Sequence, residues 1–390
     1  MEMLTTDLPK LRIKGRALLP IVQGGMGVGV SAHRLAGSVA RLGAMGTLSS
    51  VDLRHHHEDL MARTARTRDK ALIDAANLEA LDREIRAALA LAGGRGMIAV
   101  NVMRALSEYA HYVKQACESG AQAIVVGAGL PLDLPDLTAD YPDVALIPIL
   151  SDARGIAVVL RKWMRKNRLP DAIVIEHPRY AGGHLGATRI ADLDDPRFDF
   201  ANVLRETFAL FEALGIERDR IPLICAGGID TPERVRELIA LGASGVQLGT
   251  PFAVTEESDA HPNFKRVLAE AKPEDIVEFI STAGLPARAV CTPWLEQYLR
   301  KLPLLEKRAH ARRKGCTFGF DCLEVCGLRD GLAKMGQFCI DLHLTAALKG
   351  DVRNGLFFRG AGRLPFGSEI RPVRDLLVFL LGHPAAGPVS

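Results

Sequence analysis

Several things are missing from this 390-residue sequence, and each absence narrows what it can be. It lacks a strong excess of either charge. The net charge of +3 is too small to build the electrostatic footprint of a nucleic-acid or membrane-surface binder. It lacks long apolar runs. The longest near the end, Leu376–Leu381, is far short of a bilayer span. Met1–Lys10 is mixed polar and has no apolar core of the kind a signal peptide needs, so a cytoplasmic location is the expectation. Cysteines number seven, an odd count in a large chain, which does not suggest a disulfide framework. There is no low-complexity segment and no repeat longer than a strand-helix unit.

What remains is ordinary globular composition, 48% hydrophobic and 24% charged, in a chain long enough for one large barrel with additions. Apolar runs that read as strands fall at Leu19–Gln23, Met45–Ser49, Met97–Val102, Ala123–Val126, Ala145–Leu150, Ala172–Glu176, Pro222–Ala226 and Gly245–Leu248. Helical periodicity follows nearly all of them: Ala32–Leu42, Ala105–Ser119, Ala153–Lys166, Asn202–Leu214 and Pro232–Leu241. Continuous apolar strands that alternate with helices mean a parallel sheet buried on both faces, and eight repeats favour a closed (β/α)8 TIM barrel. Residues 1–284 are assigned to the barrel. A helical insertion after the second strand, about 55–96, is expected to contribute to a lid over the strand ends. Residues 285–390, where the alternation stops, are expected to form a helical or irregular extension that acts as a lid or carries a cluster.

The glycines cluster where strands end. Ile221–Ile229 closes on Gly227-Gly228, and Gly245–Phe252 passes through Gly249-Thr250, one helix later. Glycine lets backbone N–H groups approach an anion, so two such loops after the last barrel strands form a phosphate cup. The earlier run Gln23–Gly29 lacks the G-x-G-x-x-G placement of a dinucleotide site. The sixth strand leads into Glu176-His177-Pro178-Arg179-Tyr180-Ala181-Gly182-Gly183-His184-Leu185-Gly186, with a glycine-framed histidine suited to proton exchange and glycines that would let a cofactor ring lie against the backbone. Asp152 after the fifth strand reads equally as an active-face carboxylate and as a helix cap. No lysine stands at a strand end, which argues against an aldolase-type barrel.

Taken together, Gln23-Gly24-Gly25-Met26, Asn101, Ala181–Gly186, Ala226–Ile229 and Gln247–Thr250 resemble the nitronate monooxygenase (2-nitropropane dioxygenase) family, which is related to flavin-dependent enoyl-ACP reductases. The resemblance implies a TIM barrel with non-covalent FMN. It implies that Gly227, Gly228, Gly249 and Thr250 hold the phosphate, that Asn101, Gly182 and Gln247 line the flavin, and that His184 is the catalytic histidine beside it. Gly24, Gly25, Met26, Gly183 and Leu248 belong to the same cofactor-binding motifs. The expected activity is FMN-dependent oxidation of a small nitronate or nitroalkane by oxygen; the alternative is NAD(P)H-dependent reduction of an enoyl thioester or quinone. A homodimer is an admissible assembly. The chain departs from the pattern Q-G-x-E-A-G-G-H, with His177 and Tyr180 in place of glutamine and glutamate, and this leaves the substrate as the open variable.

Two further clusters stand outside that pattern. Cys316, Cys322, Cys326 and Cys339 follow the spacing C-x5-C-x3-C-x12-C, a candidate ligand set that fits an iron–sulfur cluster better than a zinc ion; the other reading is buried cysteines in a packed core, with Cys322 and Cys326 on one helix face if Cys322–Leu332 is helical. Cys117 and Cys225 read as structural. His55-His56-His57 reads as a solvated run, since three consecutive side chains cannot face one ion in a helix. The basic residues Arg300, Lys301, Lys307, Arg308, Arg312, Arg313 and Lys314 read as a solvated helix face.

Overall fold

The structure, a computed structural model, describes residues 4–312, 316 and 321–382. Eight parallel strands close into a barrel: β1 (Ile21–Gln23), β2 (Met45–Ser49), β3 (Met97–Met103), β4 (Ala123–Gly127), β5 (Ala145–Leu150), β6 (Ile173–Glu176), β7 (Leu223–Ala226) and β8 (Gly245–Leu248). Each pairs with its neighbours in chain order, and β8 returns to β1 with Val246 beside Ile21. Helices His33–Arg41, Lys70–Ala92, Tyr109–Glu118, Ala153–Met164, Phe200–Leu214 and Pro232–Ala240 lie between the strands in chain order. The (β/α)8 reading holds, and the strand limits fall within two residues of those read from the sequence.

Alternation along the strands separates two cores. Inward residues such as Val22, Met45, Met97, Ala99, Val125, Ile147, Val174 and Ile224 pack inside the barrel. Outward residues such as Ile21, Leu48, Ile98, Val100, Ile124, Ile173 and Ile175 pack against the helices. A hairpin, Leu11–Ile13 with Arg16–Leu18, adds Leu11, Ile13 and Leu18 to the interior core and so plugs the end opposite the strand termini. The pairing of β1 with β2 is short, with only Val22 in register with Met45. The buried amide of Gln23 extends it, with Nε2 donating to Thr47 O at 3.0 Å and Oε1 accepting from Thr47 N–H at 2.9 Å.

The region after β2 is not a lid. Lys70–Ala92 packs against His33–Arg41 and Tyr109–Glu118 in the outer ring, and residues 55–96 contribute nothing to the cavity above the strands. Its periodic apolar face found neighbouring helices, which is what an amphipathic helix of that length requires. The histidine tract is not solvated either. His55 lies 3.4 Å from Asp52, the His56 ring nitrogen Nε2 meets Gly29 O at 2.8 Å, and His57 lies 3.0 Å from Glu84. The three side chains diverge to separate partners and tie the loop down.

After β8 a second sheet forms. Ile276–Ile280 and Pro286–Val290 make an antiparallel hairpin, and Pro286–Val290 also pairs with Phe357–Phe358 and, across the mouth of the barrel, with Gly183–His184. The expected boundary at 284/285 falls inside this hairpin, and the extension contributes strands as well as helices.

The tightness of the strand-helix layer gives a direct test. A Cβ on Gly46 in β2 would lie 2.0 Å from the backbone oxygen of Ala36. Because neither backbone can yield cheaply, Gly46→Ala is expected to cost about 3 kcal/mol, read as a lower denaturant midpoint at unchanged slope.

Candidate active site

A cavity of about 300 Å³ opens above the strand ends. That is the lower end of the range for a small-molecule or cofactor site. Alternation decides which side chains form its floor. The last inward positions are Ser49 on β2, Asn101 and Met103 on β3, Gly127 on β4, Ile149 on β5, Glu176 on β6, Ala226 on β7 and Gln247 on β8, and all line the cavity. Its remaining walls include Gly24, Gly25 and Met26 after β1, Gly182, Gly183 and His184 after β6, Gly227 and Gly228 after β7, and Leu248, Gly249 and Thr250 at β8. Every residue assigned from the sequence to the cofactor or to catalysis is therefore brought to one place.

One end of the cavity is a cradle of unused donors. The backbone N–H groups of Gly227, Gly228, Gly249 and Thr250 have no acceptor among the described residues. Gly228 has φ +69°, and a Cβ there would sit 2.8 Å from the Tyr180 ring, so glycine is required on both counts. Gly249 differs: the nearest atom to its added Cβ is Met26 Sδ at 3.7 Å, so the space in front of it is free. Orphaned N–H groups converging on open space make an anion site. On the floor, neither the Asn101 nor the Gln247 amide has a side-chain hydrogen bond among the described residues, so both face the cavity unspent. Gly25 makes room for Asn101, whose Cβ would be 2.4 Å from a Gly25 Cβ.

His184 stands in the wall with its Nε2 3.0 Å from Ser281 Oγ and its ring edge-on to Phe358 at 5.6 Å. Burial alone pushes its pKa down to about 4, so the imidazole is neutral near pH 7. Nδ1 has no protein partner among the described residues, which makes it the atom available to take a proton.

The glycines beside it serve a different purpose from the one expected. A Cβ on Gly182 would lie 2.5 Å from both Arg359 C and Gly360 N. The space its missing side chain leaves is filled by the strap 356–363 from the C-terminal extension rather than by a cofactor ring. That strap donates from Gly360 N–H to Thr250 Oγ1 at 3.0 Å and from Ala361 N–H to Tyr180 O at 3.1 Å. The buried Arg359 guanidinium donates to Leu268 O, Gly360 O and Gly362 O and holds the strap's shape.

Of the two departures from the family pattern, Tyr180 lines the cavity and His177 does not. His177 is buried between Tyr180 and Phe200, at 4.8 and 5.3 Å, and burial lowers its pKa. Asp152 is a helix cap, accepting from Gly155 N–H at 2.8 Å, and it stands outside the cavity.

The cysteine reading is corrected. Among the described residues, no three of His, Cys, Asp and Glu gather as a metal site, and the segment holds only a short helix, Gly327–Asp330. Cys322 and Cys326 do not share a helix face; Cys326 precedes the helix, accepting from Arg329 N–H at 3.5 Å. Burial pushes the Cys339 thiol up to about 12 and raises Cys322 and Cys326 as well. Cys322 lines the cavity and Cys316 is partly buried. Cys117 and Cys225 are buried in helix and strand, as expected. Of the basic run, Arg300, Lys301 and Lys307 lie on the helix Pro293–Lys307, while Arg313 and Lys314 lie outside the described residues.

Several residues lining the cavity had no motif to announce them: Ser49, Asp341, Phe358, Gly360 and Arg363, while Glu176 stood at the end of the sixth strand without an assigned role. Ser281, the partner of His184, had none either. Period-two counting along β2 and β6 would have found Ser49 and Glu176. Asp341, from the helix Ile340–Leu348, hydrogen-bonds Asp52. Burial opposes charge on both, but the Asp341 and His55 hydrogen bonds outweigh it at Asp52 and hold that carboxyl low, while Asp341 is driven well above the carboxylate range.

Barrel, unbonded N–H groups and buried histidine together define the class: a (β/α)8 barrel with a cavity at its strand ends, one end of which suits an anion. Comparison with known proteins places the chain in it more closely. The nitronate monooxygenase family pattern matches residues 12–381, and the chain belongs to that family. A probable nitronate monooxygenase of Staphylococcus saprophyticus is 33% identical over 172 residues, 43% of this chain and 46% of that protein. One from Bacillus subtilis is 36% identical over 77 residues, 20% of this chain and 22% of the relative. The chain thus spans less than half the length of these curated relatives. FabK from Thermotoga maritima superposes with a TM-score of 0.61 at 22% identity, over 95% of this chain and 93% of that one. A nitroalkane oxidase from Streptomyces ansochromogenes gives 0.60 at 20% identity, over 93% and 94%. At these identities the likeness is one of fold. Among the described residues no helix is long and apolar enough to cross a membrane.

The strap contact at Gly182 generates a prediction. Gly182→Ala is expected to push residues 356–363 off the loop, since backbone atoms would have to move. Amide hydrogen exchange in that segment should rise while the barrel strands keep their protection.

Proposed function

We propose that this chain is an FMN-dependent oxidoreductase of the nitronate monooxygenase type, acting on a small nitronate or nitroalkane with oxygen. The observation that carries the reading is the cradle of orphaned N–H groups at Gly227, Gly228, Gly249 and Thr250, continuous with a cavity walled by a neutral histidine. The cradle suits the phosphate of FMN, and the Asn101 and Gln247 amides suit the polar edges of its ring system. Bound there, FMN would supply the electron or hydride chemistry, and the protein would bind, orient and handle protons.

His184 is the proton-handling group of this reading. A neutral imidazole can take a proton from the carbon beside a nitro group, and Ser281 fixes the ring while it does so. The tail strands and the strap form part of the cavity wall above the histidine. The histidine has no acidic partner among the described residues, so nothing beside it holds a proton on the imidazole. A second reading, NAD(P)H-dependent reduction of an enoyl thioester or quinone, is favoured by one feature. Arg363 lines the cavity while exposed to solvent and has no acidic partner among the described residues, a placement that suits the phosphate of an incoming dinucleotide.

Two variants test the proposal. His184→Ala is expected to keep bound FMN, seen by its visible absorbance, and to lose on the order of 100-fold or more in turnover of a nitroalkane; unchanged turnover removes the histidine from the reaction. Gly249→Glu is expected to expel FMN, because a carboxylate would occupy the free space in front of the cradle. Normal flavin content in that variant rejects the phosphate site.

A further inference from the structure

Glu176 ends β6, and its direction follows from its strand. Ile173 and Ile175 belong to the outer core, Val174 to the barrel interior, so Glu176 points inward at the level of the cavity floor. Its flanking floor positions are apolar, Ile149 on β5 and Ala226 on β7, the latter its register partner. No hydrogen bond or ion pair reaches its carboxyl among the described residues. Enclosure alone raises its pKa to about 7.

The other ionisable groups around the cavity leave it alone. His184 does not charge until about pH 4, Asp341 is driven well above the carboxylate range, the Cys322 thiol is raised by burial, and Arg363 sits at the exposed mouth. Tyr180 lines the wall after β6 without a hydrogen bond to Glu176. A half-buried carboxyl that faces a cavity without a protein partner costs free energy and contributes nothing to packing that an apolar residue would not do better. Asn101 and Gln247, the other unspent polar groups of the floor, face the same space.

We propose that Glu176 is an acid–base residue of the cavity floor, a carboxyl that meets the bound cofactor or substrate from inside the barrel and exchanges a proton with solvent as the charge above it changes. This rests on the flavin reading given above. The carboxyl donates a hydrogen bond in its acid form and repels negative charge in its ionised form. Binding or generating an anion over the floor therefore draws a proton onto it, and no oxidant or reductant is needed for that exchange.

The test uses the full-length protein loaded with FMN, whose visible spectrum is titrated over roughly two pH units on either side of neutrality. The expected result is one inflection in the flavin bands near pH 7. Glu176→Gln, which keeps shape and polarity, should retain FMN and lose the inflection; Glu176→Ala should do the same and guards against a misfolded first variant. Asp341→Asn should keep the inflection. A flat wild-type titration with FMN bound, or an inflection that survives both Glu176 substitutions, overturns the assignment while leaving the flavin site in place. A folded wild-type protein that takes up no FMN overturns the flavin reading itself, and this proposal with it.

Discussion

The site depends on one buried cation. Arg288, on the strand Pro286–Val290, is only 2% exposed. Its guanidinium donates to Pro178 O at 3.1 Å and to Ala181 O, the two carbonyls of the His184 loop that turn away from solvent. Its Nε donates to Glu278 on the neighbouring hairpin strand at 2.9 Å. A buried carbonyl left without a donor costs about 1 to 3 kcal/mol, and a planar fork can serve two carbonyls and a carboxylate at once. The same strand pairs with Gly183–His184 through Ala287 and Arg288, so backbone and side chain act on one loop together. The position of the histidine is therefore set by residues roughly a hundred positions further along the chain, and the barrel alone does not define it.

That dependence gives the cavity two chemically different ends. At β7 and β8 the backbone offers N–H groups with no acceptor among the described residues, an end suited to an anion. Among the ionisable groups that line floor and roof, His184 and Asp341 are held uncharged and Glu176 is poised between its two forms, while the Arg363 cation stands at the mouth. A ligand with phosphate at one end and an uncharged, electron-accepting ring at the other would meet complementary surroundings along its whole length. In an enclosed site each unit of charge matters more than in water, so holding the reacting end neutral lets a small change in ligand charge be answered by movement of one proton.

Much of this is legible in the sequence, for a physical reason. Barrel strands are buried on both faces, so runs such as Met97–Val102 carry a nearly continuous apolar signal, and glycines mark their ends because loops there turn tightly. The motifs at Gly24, Asn101, Gly182, Gly227 and Gln247 stand in the sequence as local strings, and each ends up on the cavity. What fails has no local signature. An amphipathic helix shows that one face will be covered but not by what, so Lys70–Ala92 reads as a lid and packs in the ring. Three histidines in a row look like a unit, yet successive side chains point apart and find Asp52, Gly29 and Glu84. Cysteine spacing along the chain says nothing of distance in space, and among the described residues these sulfurs do not gather with a third ligand. The pairing of His184 with Ala287 joins segments far apart in sequence, and nothing in either string announces the other.

The glycines before His184 line the cavity and also make contacts that their string does not announce. From the sequence, Gly182 leaves room for a cofactor ring; in the structure, the volume its side chain would need is occupied by the backbone of Arg359 and Gly360. Gly183, with φ +71°, turns the chain so that the following histidine joins the Pro286–Val290 strand, and its own free face meets the Phe358 ring. Both glycines therefore record a contact between two parts of the protein. The strap that exploits this contact also reaches the anion cradle, through Gly360 and Thr250. A ligand seated in the cradle would touch a surface whose shape is shared by barrel and extension, so ligand binding and docking of the extension draw on the same contacts. The extension is better understood as the missing wall of the site than as a separate lid laid over it.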